Sequence, residues 1–366
     1  MRILVAPDKF KGCLDAAAVA ANIVAGLRAV LPDAQITVMR VADGGEGTAS
    51  VIGAAAEGEW HTCNVHDANG RTVASRYCTI DEGAQAIIDV SAAAGLWRVE
   101  LAARDVDAAS SFGVGEMLLD AAARDVREIV VGLGGSATND GGFGMARALD
   151  FRFLDRAGCE IGNSVSELLR LSRIDAPESL RLPRIIAAAD VRNPLLGDRG
   201  ATRVFASQKG ACPDQFDELE EALRRLADVV ATDLGIDPRD QPGAGAAGGL
   251  GFGLVGFCGA EIRRGFDIVA DAIGLSDAIN HADIVITGEG RLDAQTAEGK
   301  APAGVAKRAR AAGKPVFAIV GRVDDGMQIF DRVFSLAGPG ISEADAIQNA
   351  PQLLRFRAAE LARIVR

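Results

Sequence analysis

Histidine is almost absent from this chain of 366 residues: there are three, at 61, 66 and 281, and none falls in an H-E-x-x-H pattern. A metal centre built on histidine is therefore not expected, whereas Mg²⁺ held by carboxylates is compatible with the composition. The six cysteines, at 13, 63, 78, 159, 212 and 258, include no C-x-x-C pair. That fits reduced thiols rather than a disulfide frame or a zinc site. No apolar run reaches the ~20 residues of a membrane span. The opening MRILVAPDKF reads as a strand and a loop and lacks the apolar stretch of a signal peptide. A cytoplasmic location with no membrane partner is the expectation. The net charge of −11 argues against a nucleic-acid partner. There is no G-x-x-x-x-G-K-[ST] loop and no G-x-S-x-G elbow, which sets aside the common P-loop and serine-hydrolase chemistries.

Lysine is scarce too. Of 39 basic residues only six are lysines, and four of them (Lys9, Lys11, Lys209, Lys300) stand in glycine-flanked segments. In a chain that otherwise uses arginine, lysines in such loops point to a need for compact point charges.

What is plentiful is glycine, 43 residues in clusters, within a chain that is 49% hydrophobic. The length suits two domains. Apolar runs alternate with amphipathic stretches: Arg2–Ala6, helix Asp15–Val30, strand Gln35–Val41, helix Gly44–Ala56. This opening is that of a parallel sheet. Trp60–Val65, Thr72–Ile80 and Gln85–Val90 read as an antiparallel or mixed patch. Asp283–Thr287 and Pro315–Val320 return to clean α/β alternation. The fold class expected is α/β: a discontinuous Rossmann- or flavodoxin-like parallel domain, 1–58 plus 268–366, with an α/β domain of mixed sheet, 59–267, inserted. The ligand site is expected in the cleft between them.

Six loops carry polar chemistry at strand ends or in glycine-rich turns, where open α/β sheets bind ligands. Pro7–Gly12 holds Asp8 and Lys11. Asp43–Thr48 (DGGEGT) offers Asp43 and Glu46 for Mg²⁺ or a polyhydroxy substrate, and the same pair has the form of a capping box for the next helix; the two roles are compatible. Glu128–Gly142 (EIVVGLGGSATNDGG) brings Gly134, Gly135, Ser136, Thr138, Asn139 and Asp140 to the end of a buried strand, an arrangement suited to anions. Asp190 and Asn193 follow another strand. Pro242–Gly253 supplies Gly243, Gly245, Gly248 and Gly249. Thr287–Asp293 adds Glu289, Arg291 and Asp293, with a guanidinium suited to a carboxylate. Gly132/Gly134/Ala137 and Gly243/Gly245/Gly248 also match G-x-G-x-x-[GA], so an NAD-dependent oxidoreductase acting on a small hydroxy acid stays open as the alternative. Scattered acids, amides and cations without a single nucleophile suit phosphoryl transfer, which is mostly positioning and charge neutralisation.

APDKFKG, VADGGEGT, VGLGGSATNDGG, DVRNPLLG, QKGA, PGAGAAGGLG and ITGEGRLDAQT occur in this order. In these segments the chain resembles the bacterial glycerate kinase family from residue 1 to about 350. The resemblance implies ATP and Mg²⁺ as cofactors and D-glycerate as the small-molecule acceptor. The product implied is 2-phosphoglycerate; the 3-position and the oligomeric state stay open. Taken with the loop chemistry, Asp190, Lys11 and Asp8 are the expected catalytic residues. Asn193, Arg291, Asp293, Asn139 and Asp140 would face substrate. Gly134, Gly135, Ser136, Thr138, Gly243, Gly245, Gly248, Gly249 and Lys209 would hold nucleotide, with Asp43, Glu46 and Glu289 on the metal.

Overall fold

The computed structural model describes residues 1–10, 12–292, 300–324 and 327–366. Two compact units emerge: Met1–Asp43 with Phe266–Arg366, and Gly44–Gly265. The helix Thr48–Ala55 lies in the second of them. No helix among the described residues is long and apolar enough to cross a membrane.

The first unit is built on a five-stranded sheet in the order Arg332–Ser335, Val316–Val320, Ile284–Gly288, Arg2–Pro7, Gln35–Val38, with every pairing parallel. Val5 sits between Ile286 and Val38 in register. Ile3, Leu4, Val5 and Ala6 are all buried. A strand with both faces covered by helices needs such a continuous apolar run. Helix Ala16–Arg28 starts where Asp15 Oδ1 accepts the Ala18 N–H at 2.7 Å. Its buried stripe Val19, Ile23 and Leu27 joins Leu354 and Leu361 of helix Ala350–Val365 in one core. The C-terminal helical stretch divides at Asn349, before Pro351, into Glu343–Gln348 and Ala350–Val365.

The second unit carries a six-stranded mixed sheet in the order Glu261–Arg263, Arg184–Ala188, Glu128–Gly132, Gln85–Asp89, Thr72–Ile80, Glu59–His66. The first four strands run parallel, and the last two add antiparallel pairings. Its core includes Ile88, Val131, Met117, Phe143, Phe153, Leu223 and Phe252. The Phe143 and Phe153 rings meet edge to face at 4.7 Å. Helix Phe216–Asp233 buries Leu219, Leu223, Leu226 and Val230 along one face. Because Gln85–Asp89, Glu128–Gly132 and Arg184–Ala188 are parallel, the polar loops that follow them leave the sheet at the same edge.

Candidate active site

In the first unit, parallel strands likewise put acids at one edge. Asp8 follows Arg2–Pro7, and Glu289 follows Ile284–Gly288. The Asp8 N–H donates to Gly288 O at 2.8 Å, and Thr287 Oγ1 donates to Ala6 O at 2.7 Å, which locks the two strand ends together. Burial pushes the Asp8 carboxyl up to about 8, and the neighbouring charges of Asp43 and Glu289 add to that rise. The Lys9 N–H, donated to Asp8 Oδ1 at 2.6 Å, and the Lys9 charge oppose it. Glu289 is buried. The charges of Asp43 and Glu289 thus disfavour ionisation of Asp8, and a cation bound beside them would relieve that cost.

Among the described residues no three His, Cys, Asp or Glu side chains form a group that could hold a metal by themselves. An ion here would take one or two carboxylates and complete its shell with water and phosphate oxygens, as Mg²⁺ does. Arg291 is exposed and pairs with Asp324, its Nε donating to Oδ2 at 2.6 Å. Arg322 grips the same carboxylate through Nε at 2.7 Å. The two guanidiniums hold Asp324 below the usual carboxylate range, Arg291 contributing the largest part. Lys11 and Asp293 lie outside the described residues.

The second unit brings four of the predicted segments together. Gly44–Thr48 lies against the loop after Glu128–Gly132: a Cβ on Gly134 would fall 2.6 Å from Gly45 Cα, so the two backbones leave no room for a side chain. The Glu46 carboxylate runs along Gly135, 3.1 Å from where that residue's Cβ would be. The capping box expected from Asp43 and Glu46 does not form. Gly47 is the cap residue, with φ 98°, and helix Thr48–Ala55 starts there without a side-chain cap of its own. Asp89, at the end of its strand, serves instead: Oδ2 accepts from Gly47 N at 2.9 Å and Oδ1 from Ala49 N at 3.1 Å. The cap comes from 40 or more residues away in sequence.

Ser136, Thr138, Asn139 and Asp140 are all buried. Asp140 has internal partners on both carboxylate oxygens. Oδ2 accepts from Ser111 N (2.8 Å), Ser111 Oγ (2.7 Å) and Gly144 N (3.0 Å), and Oδ1 accepts from Gly142 N (3.2 Å). Ser111 Oγ in turn accepts from Met145 N at 2.9 Å. Asp140 thus organises the start of helix Phe143–Ala148. Asn139 Nδ2 donates to Thr202 Oγ1 at 3.0 Å, while Asn139 Oδ1 and Thr138 Oγ1 are buried without a partner among the described residues. Buried orphans of this kind call for an explanation such as a ligand or an internal water. Lys209 is 3% exposed, and its Nζ donates to Thr138 O at 2.6 Å and Ser136 Oγ at 3.1 Å. Burial drives the Lys209 ammonium down to about 7, against the pull of Asp140.

Asp190 is half-buried just past the strand Arg184–Ala188. Asn193 Nδ2 donates to Arg199 O at 2.7 Å, and Asn193 O accepts from Gly245 N at 2.9 Å. A Cβ on Gly243 would lie 3.5 Å from Val191 O, and one on Gly245 2.2 Å from Pro194 O, so the two loops are in contact. Ala247, Gly248 and Gly249 all have positive φ, interrupting the helix before Leu250. Gly141 N donates to Gly248 O at 3.0 Å, and a Cβ on Gly249 would lie 2.9 Å from Gly141 Cα. The segments at 44–48, 132–142, 190–195 and 243–253 thus form one connected polar rim.

The dinucleotide alternative fails on this geometry. A G-x-G-x-x-G turn opens directly into a helix N-terminus, yet here the helix begins only at Phe143, and the intervening residues are held by Asp140 and Lys209. The second match runs into three left-handed residues rather than a strand-to-helix turn. Sequence reasoning gives no role to Asp89 or Thr202, of which Asp89 carries a signal, as an acid closing an apolar strand.

Comparison with known proteins agrees with this reading. The glycerate kinase family model matches residues 3–366. A glycerate kinase of Halalkalibacterium halodurans is 39% identical over 98% of this chain and 97% of its own length. A glycerate 2-kinase of Escherichia coli is 42% identical over 92% and 90%. A solved structure from Salmonella typhimurium LT2, described as a glycerate kinase 2, superposes with a TM-score of 0.84 at 40% identity, covering 100% of this chain and 98% of that one. The chain belongs to the glycerate kinase family.

Proposed function

We propose that this glycerate kinase transfers the γ-phosphoryl group of ATP to the 2-hydroxyl of D-glycerate, releasing ADP and 2-phosphoglycerate. The family match over nearly the whole chain carries the reaction class. The choice of the 2-position rests on the glycerate 2-kinase relative at 42% identity. The polar rim of the second unit supports ATP as donor, since phosphoryl transfer asks for backbone cradles and positioned charge rather than a covalent nucleophile.

In this reading the 134–138 and 243–249 loops cradle phosphates, and Asn139 and Asn193 orient substrate. Asp190 accepts the proton as the hydroxyl oxygen forms its bond to phosphorus and the bond to the ADP oxygen breaks. Lys11 neutralises charge on the transferred group. Asp43 and Glu289 are the carboxylates for Mg²⁺, and their effect on Asp8 fits a site that gains from a cation. Asp8 stands by as the acid most responsive to that charge. Glu46 is retained as the acid of the second unit, beside Gly135. Bound Mg²⁺ would neutralise phosphate charge and fix the leaving group. Arg291 and Asp293 are the groups proposed for the substrate carboxylate and hydroxyls.

A coupled assay of ADP release tests this directly. Turnover is expected with ATP, Mg²⁺ and D-glycerate together and should vanish when any one is omitted. Reduction of NAD by glycerate, with no ADP release from ATP, would reverse the assignment.

A further inference from the structure

We propose that Lys209 is a positioning residue: its buried ammonium fastens the Ser136–Thr138 segment beside the Gly248 turn and so holds the phosphate-binding loops in working shape, without itself touching the ligand. The proposal deepens the nucleotide reading above and rests on it.

Three residues from two chain segments surround Lys209 Nζ. Thr138 O accepts at 2.6 Å and Ser136 Oγ at 3.1 Å. Gly248 makes the third wall: a Cβ there would lie 2.8 Å from Nζ and 1.9 Å from Thr138 O. With φ +72°, position 248 also disfavours any side chain. The glycine leaves the space in which the ammonium and the Thr138 carbonyl meet.

An ammonium with both acceptors from the loop and 3% exposure offers no open face to a phosphate. A purely stabilising role fits poorly as well. Burying a cation is expensive, and a buried charge pair replaced as a whole by apolar residues often leaves stability unchanged or higher, so burial of the charge is weak evidence of a stabilising role. Asp140, whose charge favours the ammonium, is already bonded by Ser111, Gly142 and Gly144. What the lysine provides is a directed donor to a main-chain carbonyl. The neighbouring side-chain atoms Thr138 Oγ1 and Asn139 Oδ1 have no partner among the described residues. Tethers of this segment to its surroundings therefore include Lys209, the Asn139–Thr202 bond and the Gly141–Gly248 backbone bond.

The test uses the full-length enzyme with Lys209→Met, of similar length but without donors, and Lys209→Ala. For Lys209→Met, KM for ATP is expected to rise about 10-fold or more, with kcat changed less than 3-fold. Amide hydrogen exchange in 134–142 should quicken in the absence of any substrate. For Lys209→Ala, n-propylammonium should restore most of the ATP affinity and the same concentration of tetramethylammonium should not. This rescue still decides the matter if the methionine variant does not fold.

A KM for ATP within 2-fold of wild type, or a loss confined to kcat, overturns the proposal. So does equal response to the two amines. If wild-type enzyme does not use ATP, the nucleotide reading fails, while unchanged exchange in 134–142 of Lys209→Met counts separately against the fastening.

Discussion

Replacing Asp140 by alanine should destabilise the second unit strongly, although the residue stands in a loop. The carboxylate is 2% exposed and accepts four hydrogen bonds, from Ser111 N, Ser111 Oγ, Gly142 N and Gly144 N. Each such bond to a charged group contributes about 1.5–3 kcal/mol, and each buried donor left unmade costs about 1–3 kcal/mol. These figures overlap and do not add. Loss of one member of a buried charged network is typically about 3–5 kcal/mol. A loss of about 4 kcal/mol is therefore expected. In a unit of this size it would lower Tm by about 10 °C. Ser111→Ala removes one donor to Asp140 and the acceptor of Met145 N, so a smaller loss of about 1–2 kcal/mol is expected. Urea and thermal unfolding of the full chain, followed by circular dichroism, give both values. A change below about 1 kcal/mol for Asp140→Ala would refute the reasoning that the carboxylate is the internal anchor of this loop.

Other perturbations follow from the same geometry. Asp190→Asn should lower kcat by about two orders of magnitude or more with Tm within about 2 °C of wild type; near-normal turnover removes the residue from proton transfer. Asp8 has a folded pKa raised to about 8, so the folded state holds a proton that the unfolded chain gives up near pH 4. Stability from this group is full below about pH 4 and is lost as pH rises toward 8. Lys209, held low near 7, contributes no slope below about pH 6, so its titration does not overlap the pH 4–6 range in which wild type and variant are compared. Asp8→Asn should flatten the decline there, and an unchanged slope in denaturant melts would contradict the assignment. Gly248→Ala, at φ +72° and 1.9 Å from Thr138 O, should cost at least about 2 kcal/mol; a variant as stable as wild type would show that the turn tolerates a side chain.

Much of the architecture was legible because it rests on local pattern. Buried runs such as Arg2–Ala6 and Asp283–Thr287 announce parallel strands, and the antiparallel character of 60–80 follows from alternation and turns. Loop chemistry was legible as composition, because glycine, acid and amide recur at strand ends. The partners of individual side chains were not. Asp43 and Glu46 have the spacing of a capping box, yet Asp89, from a separate strand, takes that task. Asp140 looks like a ligand group until Ser111 closes on it from 29 residues away. Lys209 reads as a loop cation, and only its burial beside Ser136, Thr138 and Gly248 separates holding a loop from holding a phosphate. These contacts join residues distant in sequence, so no periodicity or motif reports them.

The most direct test of the account is NMR of the product formed by the purified enzyme from ATP, Mg²⁺ and D-glycerate. The account predicts a phosphorus resonance coupled to the proton on C2, the mark of 2-phosphoglycerate, growing in step with ADP. Coupling to the C3 protons instead would contradict the assigned position, and absence of any phosphorylated glycerate would contradict the account as a whole.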